Sequence, residues 1–163
     1  MNYTSAQANK RLKKLTDEYV SLREKESRSR EFRAAAGENA EAVRPAYDYA
    51  DTQRRLAELE RRIRRIKHAI NLFNATHTVP GFDMTIDEML VYIPQLTRRK
   101  NKLAAMKNRL PMDGRQSNII DYTYANYDIA AVEADYEQAA DELARAQMAL
   151  DAANQQETFE LPV

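Results

Sequence analysis

The chain has 163 residues, and its 25 Lys and Arg are balanced by 25 Asp and Glu, so the formal net charge is zero. That balance argues against a whole-molecule attraction to nucleic acid or anionic lipid, and the absence of cysteine rules out disulfides and thiolate metal sites. Hydrophobic residues make up 44% and charged residues 31%, with only 3 Gly and 5 Pro, a mix that suits long solvent-washed helices better than a β fold or a disordered chain.

The length suits a single domain spanning residues 1–163. No apolar run approaches the roughly 20 residues needed to span a bilayer. The opening Met1-Asn2-Tyr3-Thr4 lacks the basic-then-apolar pattern of a secretory leader, so a cytoplasmic protein is expected.

Four amphipathic segments follow in chain order. In the first, residues 5–32, Ala8, Leu12, Leu15, Tyr19 and Leu22 step alternately by four and three, which puts them on one helical face. The stripe then fades into Glu24-Lys25-Glu26-Ser27-Arg28-Ser29-Arg30, a stretch expected to be exposed. Residues 33–45 read as a connector, because Gly37 can end a helix and Pro45 keeps Arg44 out of helical geometry.

The second segment, residues 46–74, carries Leu56, Leu59, Ile63, Ile66, Ile70 and Phe73 in unbroken four-three alternation. A strict repeat of this kind implies coiled-coil-like packing against another helix. Pro80-Gly81 marks the turn that follows. The third segment, residues 86–110, opens on Thr85-Ile86-Asp87-Glu88, which reads as a capping box. Its apolar face is Ile86, Met89, Leu90, Ile93, Leu96, Leu103, Met106 and Leu110. Pro94 lies inside and is expected to kink or split the helix.

Ile120, Tyr122 and Tyr124 alternate with polar or small residues, so residues 119–125 form the one strand-like stretch. A lone strand needs a mate, and Thr76-His77-Thr78-Val79 is the expected one, giving a small two-stranded β element. The fourth segment, residues 129–154, starts after Asp128 as N-cap. It carries Val132, Tyr136, Ala139, Leu143, Ala146, Leu150 and Ala153 in the same alternation. The expected fold is therefore all-α, an elongated antiparallel bundle of four long helices.

Charge is less even by segment. Arg54, Arg55, Arg61, Arg62, Arg64, Arg65 and Lys67 face only Glu58 and Glu60, while Asp128, Glu133, Asp135, Glu137, Asp141, Glu142 and Asp151 face only Arg145. One reading has the two helices pair by charge, within one chain or between subunits. Another makes the Arg61 to Lys67 stripe a phosphate-binding surface. Arg98, Arg99, Lys100, Lys102, Lys107 and Arg109 lie in the C-terminal half of a helix, where cations complement the dipole. Anion binding there is the alternative.

No catalytic, cofactor or metal site can be assembled. Neither His68 nor His77 has an acid three residues before it, as a di-iron bundle would need, and the common catalytic and nucleotide-binding motifs are missing. The run Tyr122 to Tyr127 is expected to pack its rings on helices, with ligand stacking as the alternative. Asn71 and Asn74 are expected at a helix end, with Asn74 in the left-handed position.

The order of these pieces resembles the septicolysin-like family, small bacterial helical proteins of uncertain role. The resemblance runs from near Tyr49 over roughly two thirds of the chain. It rests on Leu59-Glu60 through Ile66, on Ile70-Asn71-Leu72-Phe73-Asn74-Ala75-Thr76, on Met84-Thr85-Ile86-Asp87-Glu88-Met89-Leu90 and on Leu150-Asp151-Ala152-Ala153-Asn154-Gln155. It departs at Thr158-Phe159, where the family tends to continue with Asn-Trp. The resemblance implies a helical bundle and assigns no activity. The functional expectation is a non-enzymatic structural or interaction protein that self-associates as a homo-oligomer through its long helices. The alternatives are a membrane-active or pore-forming protein and a nucleic-acid binder.

Overall fold

The computed structural model describes residues 2–114 and 121–161. Among these the chain is mostly helical, in the order β1 (Asn2–Thr4), α1 (Ser5–Ser29), α2 (Ala40–Val43), α3 (Tyr49–Thr76), α4 (Ile86–Lys107), β2 (Met112–Asp113), β3 (Thr123–Tyr124), α5 (Ile129–Gln156) and β4 (Thr158–Glu160). It divides into two compact units, one of Met1–Phe73 with Asn154–Val163 and the other of Asn74–Ala153.

The first unit is built on α1 and most of α3. Thr4 caps α1 through a capping box with Gln7. Ala8 and Leu15 of α1 close on Leu59, Ile66 and Ile70 of α3, with Leu12, Tyr19, Leu22 and Ile63 packed beside them. These are the residues of the two four-three stripes. Two cross-helix hydrogen bonds fix an antiparallel sense. Tyr19 donates to Glu60 at 2.7 Å, and Gln53 donates to Glu26 at 2.5 Å, so moving forward along α1 is moving back along α3.

The chain ends add a feature the periodicity does not announce. β1 and β4 pair antiparallel with Tyr3 opposite Phe159. Phe159 stacks on Phe73 with ring centroids 4.4 Å apart, and Leu161 is buried in the same core.

Helix ends differ from expectation by a few residues, each for a local reason. α1 stops at Ser29 instead of residue 32, where the apolar stripe has run out. α3 starts at Tyr49 instead of residue 46 because Asp48 is its cap, its carboxylate accepting the Asp51 amide at 2.9 Å. The connector 33–45 holds the single helical turn α2, capped by Asn39.

The second unit is built on α4 and α5. Thr85 and Glu88 form the expected capping box of α4, and the Asp128 carboxylate accepts the Ala130 amide at the start of α5. Ile86, Met89, Leu96 and Leu103 of α4 are buried, as are Val132, Ala139, Leu143, Ala146, Leu150 and Ala153 of α5. Tyr92 donates to Glu142 at 3.2 Å, while the Tyr127 hydroxyl, just before α5, donates to the Met106 carbonyl near the end of α4. This pair is also antiparallel.

Several expectations for this unit need correction. α4 is continuous through Pro94, so the proline does not split it; the missing amide frees only one carbonyl, that of Leu90, and Leu90 is exposed. Leu110 is exposed as well. α4 ends at Lys107, before Leu110 can join it, because Pro111 disfavours helical geometry in the residue before it.

The strand expected at 119–125 is seen only at Thr123–Tyr124, residues 119–120 lying outside the described residues. Its mate is Met112–Asp113, not Thr76 to Val79. Thr78 bridges to Thr85 instead. There Val79-Pro80-Gly81-Phe82 makes a tight turn, with the Phe82 amide on the Val79 carbonyl and Gly81 at φ 81°, the conformation a type II turn reserves for glycine. The Ile86 amide reaches the His77 carbonyl, and Val79 in this closed loop is fully buried, as are Ile86 and Met89.

Two outcomes follow from this packing. Ile66→Ala should cost about 2–5 kcal/mol of stability in chemical denaturation, since it empties a fully enclosed site. The Glu88 carboxyl is held below its usual range, first by the Thr85 amide and then by the Thr85 hydroxyl. Its contribution is therefore complete above the ordinary carboxylate range and lost as pH falls through the depressed value. Melting curves of wild type and Glu88→Ala should differ at neutral pH and converge in acid.

Candidate interaction surfaces

Each unit pairs two long helices, and a helix pair buries one face of each member. Functional side chains must then come from the outward faces or from the loops. On α3 the outward face is the row Arg54, Glu58, Arg61, Arg65, His68 and Leu72, again stepping by four and three, and all six are exposed. Arg54 pairs with Asp51, and Arg61 pairs with Glu58 at 2.6 Å. These i,i+3 pairs neutralise part of the row. Arg65 makes no ion pair among the described residues, and Leu72 stands 56% exposed.

On α5 the outward row is Ala130, Ala134, Glu137, Asp141, Ala144, Met148 and Asp151, every one exposed. Glu137 lies 3.9 Å from Lys107, whose ammonium also sits over the Tyr136 ring. The chemistry of the two rows is opposite. One carries three arginines and a leucine with a single acid; the other carries three acids on a bed of alanines and a methionine. In the first unit the ion pairs of the described residues run along α1, at α2 or along α3, and in the second they join Lys107 to Glu137 and, at 2.8 Å, Arg145 to Glu142.

A third surface lies at the end of α4. Lys102, Ala105 and Met106 of α4, with Arg109 just past its end, line an open groove of about 530 Å³ with residues 123–127. The tyrosine run divides here. Tyr127 packs against the Leu103, Val132 and Ala139 core. Tyr122 and Tyr124 are exposed, with ring centroids 6.5 Å apart. So packing accounts for one tyrosine of the three, and periodicity could not separate them.

The remaining candidates do not converge. His68 is exposed on α3, while His77 is half-buried in the closed loop. Asn71 is exposed. Asn74 lies inside α3, not in a left-handed position, since no residue other than glycine has positive φ among the described residues. Its Oδ1 is buried without a hydrogen-bond partner among the described residues. Among the described residues no group of three or more His, Asp or Glu is placed to hold a metal ion. No described helix is long and apolar enough to cross a membrane.

The stretches that carry the septicolysin-like resemblance lie at the C-terminal half of α3, the start of α4 and the end of α5. No family model matches the chain, and no curated protein matches it. A crystal structure of a functionally unknown conserved protein from Corynebacterium diphtheriae is similar over 98% of this chain and 100% of that one, with a TM-score of 0.62 and 18% identity. At that identity the likeness shows the fold alone: the helical architecture is shared with a solved protein.

The split among the tyrosines can be measured. Tyr127→Phe should lower stability by about 0.5–1.5 kcal/mol, the worth of one hydrogen bond. Tyr124→Ser should leave the melting temperature nearly unchanged. A loss at Tyr124→Ser as large as that at Tyr127→Phe would show that the exposed Tyr124 side chain also contributes to stability.

Proposed function

We propose that this is a non-enzymatic interaction protein that assembles with copies of itself through the outward faces of its long helices. The observation that carries the reading is the sorting of charge between the two units. The first holds 17 Lys and Arg against 13 Asp and Glu, a net charge of +4, and the second holds 8 against 12, a net charge of −4. A chain with zero total charge thus carries two oppositely charged bodies, and each body of one copy attracts the other body of a second copy.

Exposed apolar residues support the same reading. Val20 and Leu72 of the first unit and Leu90, Val91 and Met148 of the second are exposed on long helices. Helix pairs have spare faces, and a second copy supplies the surface that would remove them from water.

Light scattering of the purified protein across micromolar concentrations tests this. The expected result is a mass at a multiple of 18.8 kDa that falls on dilution. A mass that stays at one chain throughout the range would overturn the proposal.

A further inference from the structure

The self-association proposed above requires particular faces, and the two outward rows identify them. We infer that the arginine row of α3 in one copy docks along the acid-and-alanine row of α5 in a second copy. This inference rests on the self-association reading and is narrower than it.

Three observations converge. The first is sign: Arg61 and Arg65 project from one row, Glu137 and Asp141 from the other, all exposed, and of these only Arg61, with Glu58, and Glu137, with Lys107, already have an ion-pair partner among the described residues. Opposite charges four residues apart on both helices match in spacing, so one pairing of Arg61 and Arg65 with two carboxylates satisfies both rows at once. The second is size. Ala134 and Ala144 flank the two acids on α5, and alanine leaves room beside the backbone. The aliphatic stem of an arginine can lie over it while the guanidinium reaches the carboxylate. A row of large side chains would hold the helices too far apart for that. The third is apolar exposure at one end of each row, where Leu72 is 56% and Met148 65% exposed. Both would leave water in the same contact.

The partner is therefore a second copy of this chain. An unrelated acidic helix would satisfy the arginine row alone, but α5 is an acidic helix with the required spacing that every copy already carries. Each copy has both rows, so a contact made twice closes a twofold dimer, and one made once per copy continues into a larger assembly.

Charge reversal provides the test. Two variants are made, Arg61→Glu with Arg65→Glu, and Glu137→Lys with Asp141→Lys. All four positions are exposed, and circular dichroism checks that helicity is kept. Self-affinity is then measured by sedimentation for wild type, for each variant and for their equimolar mixture. Each variant alone should self-associate about 100-fold more weakly than wild type. The mixture should recover a mixed assembly near wild-type affinity, because each reversed row then meets a complementary one. The neutral pair Arg61→Gln with Arg65→Gln should fall between wild type and reversal.

If wild type assembles and the reversed variants assemble equally well, this pairing is wrong and the self-association reading stands. If wild type remains a monomer, both fall. Loss of assembly in each variant without recovery in the mixture would also overturn the pairing, since it would show that the charges act elsewhere.

Discussion

Removal of two matched apolar stripes from water, one between α1 and α3 and one between α4 and α5, is the interaction on which every other feature depends. Each stripe repeats at four and three residues, so its members stay on one side of a long helix and can meet a partner helix over several turns. Ala8, Leu15, Leu59, Ile66 and Ile70 form one seam. Leu103, Val132 and Ala139 mark the other. A fully buried aliphatic side chain contributes roughly 1.5–3 kcal/mol, whereas an exposed i,i+3 ion pair such as Arg61 with Glu58 contributes well under about 1 kcal/mol. The seams therefore decide the fold, and the surface charges are free to serve something else.

That freedom shows in where the charges lie. With the core fixed by apolar spacing, nothing about folding requires the first unit to be basic and the second acidic. The rows on the outward faces of α3 and α5 are poor in ion pairs across the seams, and their signs oppose each other. A structural role inside one chain would consume these charges in cross-helix pairs; the pairs present run mostly along their own helix. On the proposed association between copies, the sorting would serve to join one chain to the next.

Much of the fold could be read from spacing. The four long helices, the capping box at Thr85, the Asp128 cap and the turn at Pro80-Gly81 all rest on side chains whose effect is local. What could not be read depends on contacts distant in sequence. The pairing of the chain ends joins Asn2–Thr4 to Thr158–Glu160, and segments of three residues carry too little periodicity to declare a strand. The mate of Thr123–Tyr124 was misplaced because register in so short a ladder is set by the turn and by neighbouring helices, not by its own pattern. Leu90 and Leu110 fit the stripe of α4 by spacing yet are exposed: position on a face does not guarantee a partner helix opposite. The surfaces were legible only as composition. The contrast between Arg54 to Lys67 and Asp128 to Asp151 is plain in sequence, but which of those charges face outward required the structure.

On the proposed assembly, complementary charge on outward helix faces, and not leftover apolar surface alone, joins copies of this chain. The decisive measurement is the dependence of the dissociation constant on sodium chloride. Screening shortens the reach of exposed charges to about 3 Å at 1 M salt, so the constant should rise steadily as salt is added. A dissociation constant that stays level or falls with salt would contradict the claim and place the driving force in apolar contact.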